Sequence, residues 1–224
     1  MDHGASNQRM ERYGAFHAEV HVYRWQVELR RVRPFLQLFA DMGGVMTSVL
    51  VPLADGSEEM EAVIAIDVFR RVPWSVTSVG IRPGVVTGSR RVRLVPDAVW
   101  TEVEPSAFDI LVIPGGQAGA EALSRDERIL EAVRFFVTAG KWVAAICAGP
   151  LVLQAAGVLA GRRATCHPAV TLTQTERRED RVVVDGRLIT SQGPGTSFEF
   201  VLAIVREVEG TAKAAELAKS MVVA

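Results

Sequence analysis

From Ser48 onward the chain alternates two hydrophobic patterns. Short apolar runs, "SVLVPL", "WSVTSVG", "VRLVPD", "DILVIPGG" and "WVAAIC", predict β-strands. Between them, "EEMEAVIAIDVFRR" and "DERILEAVRFFVTAG" space their apolar residues for one buried helical face, and Gly140 ends the second. Downstream, "RVVVDGRLIT" carries the Asp-Gly signal of a hairpin, and "GTSFEFVLAIVREVEG" and "AAELAKSMVV" predict two closing helices. Strands alternating with helices imply an α/β sandwich: a mostly parallel sheet with helices on both faces.

The first forty-five residues do not share this rhythm. They hold His3, His17 and His21, a basic "RRVR" cluster and Pro34, with no caps and no sustained period. Acidic residues run through them and no signal-peptide core stands out, so a targeting segment is not expected. The expected organisation is a poorly patterned extension over 1–46 and an α/β domain over 47–224.

Composition narrows the class. The 224 residues are 49% hydrophobic and 23% charged, enough to bury a substantial core. A formal net charge of -1, with no basic stripe, gives no reason to expect a nucleic-acid partner. Apolar runs are short and broken by Gly, Pro or charge, so no membrane span is expected. Two cysteines are too few for a disulfide scaffold, which fits a reducing, cytoplasmic setting and leaves each thiol to be explained singly.

One of those thiols stands where chemistry gathers. In "AAICAGP" a strand runs into a helix at Cys147, and open parallel sheets place their sites beyond the carboxyl ends of strands. Ala145, Cys147 and Gly149 reproduce the small-x-nucleophile-x-small spacing of a sharp strand-to-helix elbow. The following helix is expected to aim its positive end at the sulfur and favour thiolate. "IPGG" ends another strand, and the N–H of Gly115 or Gly116, with that of Ala148, is a candidate oxyanion hole. "DGSEEMEA" gathers three glutamates where the first strand meets its helix, at the same sheet edge, and one carboxyl there is a candidate acid/base for the thiol. His167 in "TCHPA" is the lone histidine outside the extension and a candidate partner of Cys147. Cys166 beside it reads as a packing residue within a short strand, because no Cys/His spacing suggests a metal.

Taken in order, "ADGSEEMEA", "VIPGG", "AAICAGP", "HP" and "TSQGPGTSFEF" resemble the ThiJ/PfpI superfamily, in its DJ-one (Parkinson disease protein) branch with bacterial relatives. The resemblance runs from about Thr47 to the C-terminus. It implies a flavodoxin-like fold, a homodimer, Cys147 as nucleophile and Glu61, among the three glutamates, as its partner. Gly116 and Ala148 match the backbone donors and His167 the nearby histidine. The implied activity is a cofactor-free, metal-free glyoxalase acting on methylglyoxal or glyoxal, or a deglycase acting on early glycation adducts. The implied alternative is an oxidative-stress sensor or chaperone governed by oxidation of the same cysteine. Peptidase members carry a histidine directly after the nucleophile, where this chain has Ala148. Gly88 stands where relatives carry an auxiliary cysteine, and Cys166 where they often carry Thr.

Overall fold

The structure, a computed structural model, describes residues 46–223. The expected extension over 1–46 therefore lies, but for its last residue, outside the described residues. The main sheet is built from β1 (Ser48–Leu53), β2 (Ser75–Gly80), β5 (Ala98–Val99), β6 (Ile110–Ile113), β7 (Trp142–Ile146), β10 (Val182–Asp185) and β11 (Leu188–Ser191). These seven strands run in the order β10-β11-β7-β6-β1-β2-β5. Every pairing is parallel except β10 with β11, the expected Asp-Gly hairpin, with Asp185 opposite Leu188. This is the flavodoxin-like arrangement, in which the chain first builds outward from β1 through β2 and then returns to its other side with β6.

The helices are α1 (Glu59–Arg71), α2 (Gln117–Ser124), α3 (Glu127–Thr138), α4 (Pro150–Ala155), α5 (Ser197–Glu209) and α6 (Thr211–Ser220). Alternation along the strands divides the core in two. Val49, Val51, Ile110, Val112, Ala144 and Ile146 pack with Phe69 of α1 and Phe200 of α5. Leu50, Leu111, Ile113, Val143 and Ala145 pack with α2, α3 and α4 on the opposite face. Successive side chains of a strand point to opposite faces, so a strand covered on both sides must be apolar throughout. That is why "SVLVPL" and "ILVI" read as unbroken runs rather than alternations.

Three elements depart from the sequence reading. "VRLVPD" does not add a full strand to the sheet. Only Arg93–Leu94 is extended, as β4, and it pairs antiparallel with β3 (Val86–Thr87) in a separate small hairpin. Arg91, at φ +69°, breaks the extended backbone before it, and the sheet edge is taken by β5 instead. Helix α2 was not expected, because "QAGAEALS" is rich in small residues and shows no broad apolar stripe. Cys166 lies two residues beyond β8 (Arg163–Ala164), which pairs with β9 (Glu176–Arg177) apart from the main sheet. Among the described residues no helix is long and apolar enough to cross a membrane.

Candidate active site

The carboxyl ends of β1, β6 and β7 converge where the strand order reverses, the crevice in which ligands bind in such sheets. Cys147 follows β7 directly and takes φ +63°, the left-handed region that residues with a Cβ enter at a cost of about 1–2 kcal/mol. Its surroundings hold it there. Its N–H donates to Ser191 O at 2.9 Å, and its carbonyl accepts from His167 N at 2.9 Å. A Cβ on Gly149 would come within 2.6 Å of Ile113 O, so the small residue after the nucleophile is a steric requirement of the elbow.

Glu61 sits in the first turn of α1, 2% exposed. Its Oε2 accepts the Gly115 N–H at 2.7 Å, while Oε1 is buried without a hydrogen bond. Burial pushes its carboxyl up to about 7, against the opposing pull of the Gly115 N–H and the thiol and with a small added push from the charge of Glu58. Thiol and carboxyl thus lie close enough to shift each other's titration, though outside the geometry of a regular hydrogen bond.

Cys147 is half-buried, and its thiol feels influences that the elbow spacing alone does not show. Burial, and then the negative charge of Glu61, push it up to about 12. The N–H groups of Gly116 and Ala148, near the sulfur, offset this only in part. The expected helix is short: α4 has six residues and begins at Pro150, three positions beyond Cys147.

Of the two candidate glycines, Gly116 and not Gly115 faces the sulfur, because the Gly115 N–H is spent on Glu61. Gly116 itself caps α2 at φ +81°. A Cβ there would strike Gly56 O and approach Glu58 N to 2.6 Å, so the turn of "IPGG" and the start of α1 fit together only through glycine. His167 is tied to the nucleophile through its backbone. Its Nδ1 accepts the Ala169 N–H at 3.2 Å, which places the proton of a neutral imidazole on Nε2. Among the described residues, no hydrogen bond joins the ring to Cys147 or Glu61. Cys166 is fully buried, with Sγ 3.4 Å from Val170 O.

Sequence reasoning missed the supports. Thr196 Oγ1 lies 2.7 Å from Ser191 Oγ and accepts the Gly193 N–H at 3.1 Å, bracing the residue that holds the Cys147 amide. Glu59 accepts the N–H of Arg90 at 2.8 Å and, more loosely, of Val92 at 3.4 Å, while Ser89 Oγ lies 2.6 Å from Glu58 Oε2 and 3.0 Å from Glu59 Oε2. These contacts dock the β3–β4 hairpin on the first turn of α1. Motif spacing carries no signal for them, since their partners lie about thirty residues apart.

A cysteine on a strained elbow at the switch point of a flavodoxin-like sheet, with a buried glutamate beside the thiol, defines a cysteine-centred α/β class. The DJ-1/PfpI family model matches residues 47–207, and the chain belongs to that family. It is 45% identical over 179 residues to Protein DJ-1 homolog B of Arabidopsis thaliana, covering 78% of this chain but only 41% of that protein. Against Protein dj-1beta of Drosophila melanogaster it is 41% identical over 182 residues, covering 79% of this chain and 97% of that one. The crystal structure of that Drosophila protein superposes with a TM-score of 0.77, covering 80% of this chain and all, 100%, of the other. A third relative, 39% identical over 180 residues and 95% covered, is the glutathione-independent glyoxalase DJR-1.2 of Caenorhabditis elegans.

Proposed function

We propose that the protein is a cofactor-independent glyoxalase that hydrates small 2-oxoaldehydes to 2-hydroxy acids through Cys147. The observation that supports this most is the buried carboxyl of Glu61, pushed up to about 7 and so able both to take and to return a proton near neutral pH, beside the half-buried thiol of Cys147. The glyoxalase name carried by the Caenorhabditis relative agrees with it.

In this reading Cys147 Sγ adds to the aldehyde carbon as its proton passes to Glu61, so the high thiol pKa is met by a base within reach. The new oxyanion lies between the N–H groups of Gly116 and Ala148 and takes a proton to give the hemithioacetal. Glu61, again a carboxylate, removes the hydrogen from the sulfur-bearing carbon and returns it to the neighbouring carbonyl carbon, while the hydroxyl proton moves from the first oxygen to the second. The product is a thioester of the 2-hydroxy acid. Water then cleaves the C–S bond, releasing the acid and restoring the thiol. Oxidation at one carbon balances reduction at the next, so no external electron carrier enters. In this reading His167, whose Nδ1 is taken by the Ala169 N–H, donates from Nε2 to the substrate.

The test is turnover of methylglyoxal to lactate by the purified full chain. Cys147→Ser and Glu61→Gln are each expected to lower kcat/KM by at least about a hundredfold, the usual weight of a nucleophile or acid/base. Wild-type protein without turnover, with a thiol that instead oxidises stoichiometrically and changes partner binding, would overturn the reading in favour of a redox sensor.

A further inference from the structure

A second concavity lies away from Cys147. A cleft of about 570 Å³ opens beyond the carboxyl ends of β1 and β2, and Cys147, Glu61, Gly116 and His167 take no part in its lining. Its floor is apolar, formed by the buried Leu53, Ala54 and Val86. Three guanidinium groups stand around it, from Arg82, Arg125 and Arg128.

The carboxylates of the lining are already engaged. Arg128 grips Asp126 with Nε at 2.9 Å and Nη2 at 2.6 Å, and its Nη2 also donates to Ile81 O at 3.2 Å. Arg128, and more weakly the charge of Arg82, hold the Asp126 carboxyl below its usual range, which places Arg82 in the same field. Glu127 pairs with Arg134, and Asp55 accepts the Thr87 N–H at 2.8 Å. Arg82 makes no ion pair among the described residues. Arg125 has a loose 3.3 Å contact with Glu121 and a side chain 77% exposed. An apolar floor beneath the exposed Arg82 and the exposed, loosely paired Arg125 suits a ligand with one charged end and a short carbon body. Guanidinium is the side chain best shaped to take an oxyanion with two parallel hydrogen bonds.

We propose that this cleft is a binding site for a small organic oxyanion, with its carboxylate or phosphate held by Arg82 and Arg125 and its carbon chain laid on Leu53, Ala54 and Val86. The site is independent of the thiol and does not depend on the reaction assigned to it.

Isothermal titration of the full chain at low salt, with glycerol 3-phosphate, with butyrate and with inorganic phosphate, tests this. Saturable one-site binding of the ester or the carboxylate is expected, and whichever binds more tightly identifies the headgroup. Arg82→Ala and Arg125→Ala should each weaken it about tenfold, the weight of one charge-assisted contact, and Arg82→Lys should recover part of the loss. Both arginines are exposed, so unchanged melting of the variants is expected alongside. Alkylation of Cys147 should leave the affinity intact. The proposal is overturned if neither organic anion saturates the protein or the arginine variants bind as wild type. It is equally overturned if alkylation abolishes binding, or if inorganic phosphate binds as tightly as its ester, which would remove any role for the floor.

Discussion

Because Glu61 holds its proton up to about pH 7 in the folded chain, against an ordinary 4.5, its burial links stability to pH. The folded state binds this proton more tightly, so the contribution is complete below about pH 4.5 and disappears as pH rises through about 7, a span of roughly 3 kcal/mol. Chemical denaturation across that window should show the loss in wild type and a flatter profile in Glu61→Gln. Activity should run the other way: kcat/KM for methylglyoxal rises through about pH 7 as Glu61 becomes a carboxylate able to take the thiol proton. A rate independent of pH from 5.5 to 8.5, in roughly half-unit steps, would remove Glu61 from the proton path. At Gly116 the expectation is steric. Gly116→Ala puts a Cβ against Gly56 O and Glu58 N at φ +81° and should cost about 2–4 kcal/mol, read by urea denaturation, with turnover lost as well. Sequence reading at this scale reached Cys147, since elbow spacing is local. It reached Glu61 only through family resemblance, because Glu58, Glu59 and Glu61 share one turn and the chain alone does not say which turns inward. It did not reach the thiol's surroundings, because burial and a carboxylate eighty-six residues earlier, counted from Cys147 to Glu61, both push the sulfur's proton affinity up and neither is local to the motif.

Elements were legible where one pattern dominated a long stretch. The helix of "DERILEAVRFFVTAG" is capped by Asp126 and ends before Gly140, as apolar spacing and punctuation implied. The region from Ile81 to Pro96 was not, since its few valines alternate with arginines and its structure comes from being fastened to something else. That fastening is Glu59. Burial is the largest single influence and pushes its carboxyl up, but hydrogen bonds from its own backbone, from Ser89 and from the N–H groups of Arg90 and Val92 together outweigh it and hold the carboxyl below the usual range. A depressed folded pKa gives stability present above the unfolded value and lost as pH falls through the folded one, so acid should loosen the hairpin. Glu59→Ala should do the same at neutral pH: faster hydrogen exchange confined to Arg90 and Val92, and a loss of about 1–3 kcal/mol in denaturation. Unchanged exchange at both amides would show that β3–β4 is held by other contacts.

At the scale of the molecule, both layers of the core are built, among the described residues, from residues 49–217. A chain started at Met46 should therefore fold and melt within about 3 °C of the full length, whereas a drop beyond about 8 °C, worth more than 2 kcal/mol for a domain of this size, would move the domain boundary upstream. The layering of a mostly parallel sheet between helices follows from the alternation of patterns, so this scale was the most legible of the three, while the order of strands was not read, since pairing between distant strands leaves no local pattern. One local conformation bears on the stability of the entire fold. Cys147 is held at φ +63° by neighbours that must offset its cost, and in the proposed reading that cost serves catalysis. Activity and durability therefore pull in opposite directions at this one residue. Cys147→Gly, though it empties a half-buried position, should melt no lower than wild type, while Cys147→Val, inert as well but β-branched, should melt several degrees lower, roughly as expected for 1–2 kcal/mol. An inactive protein that outlasts the active one would show that the working thiol sits in this fold under tension.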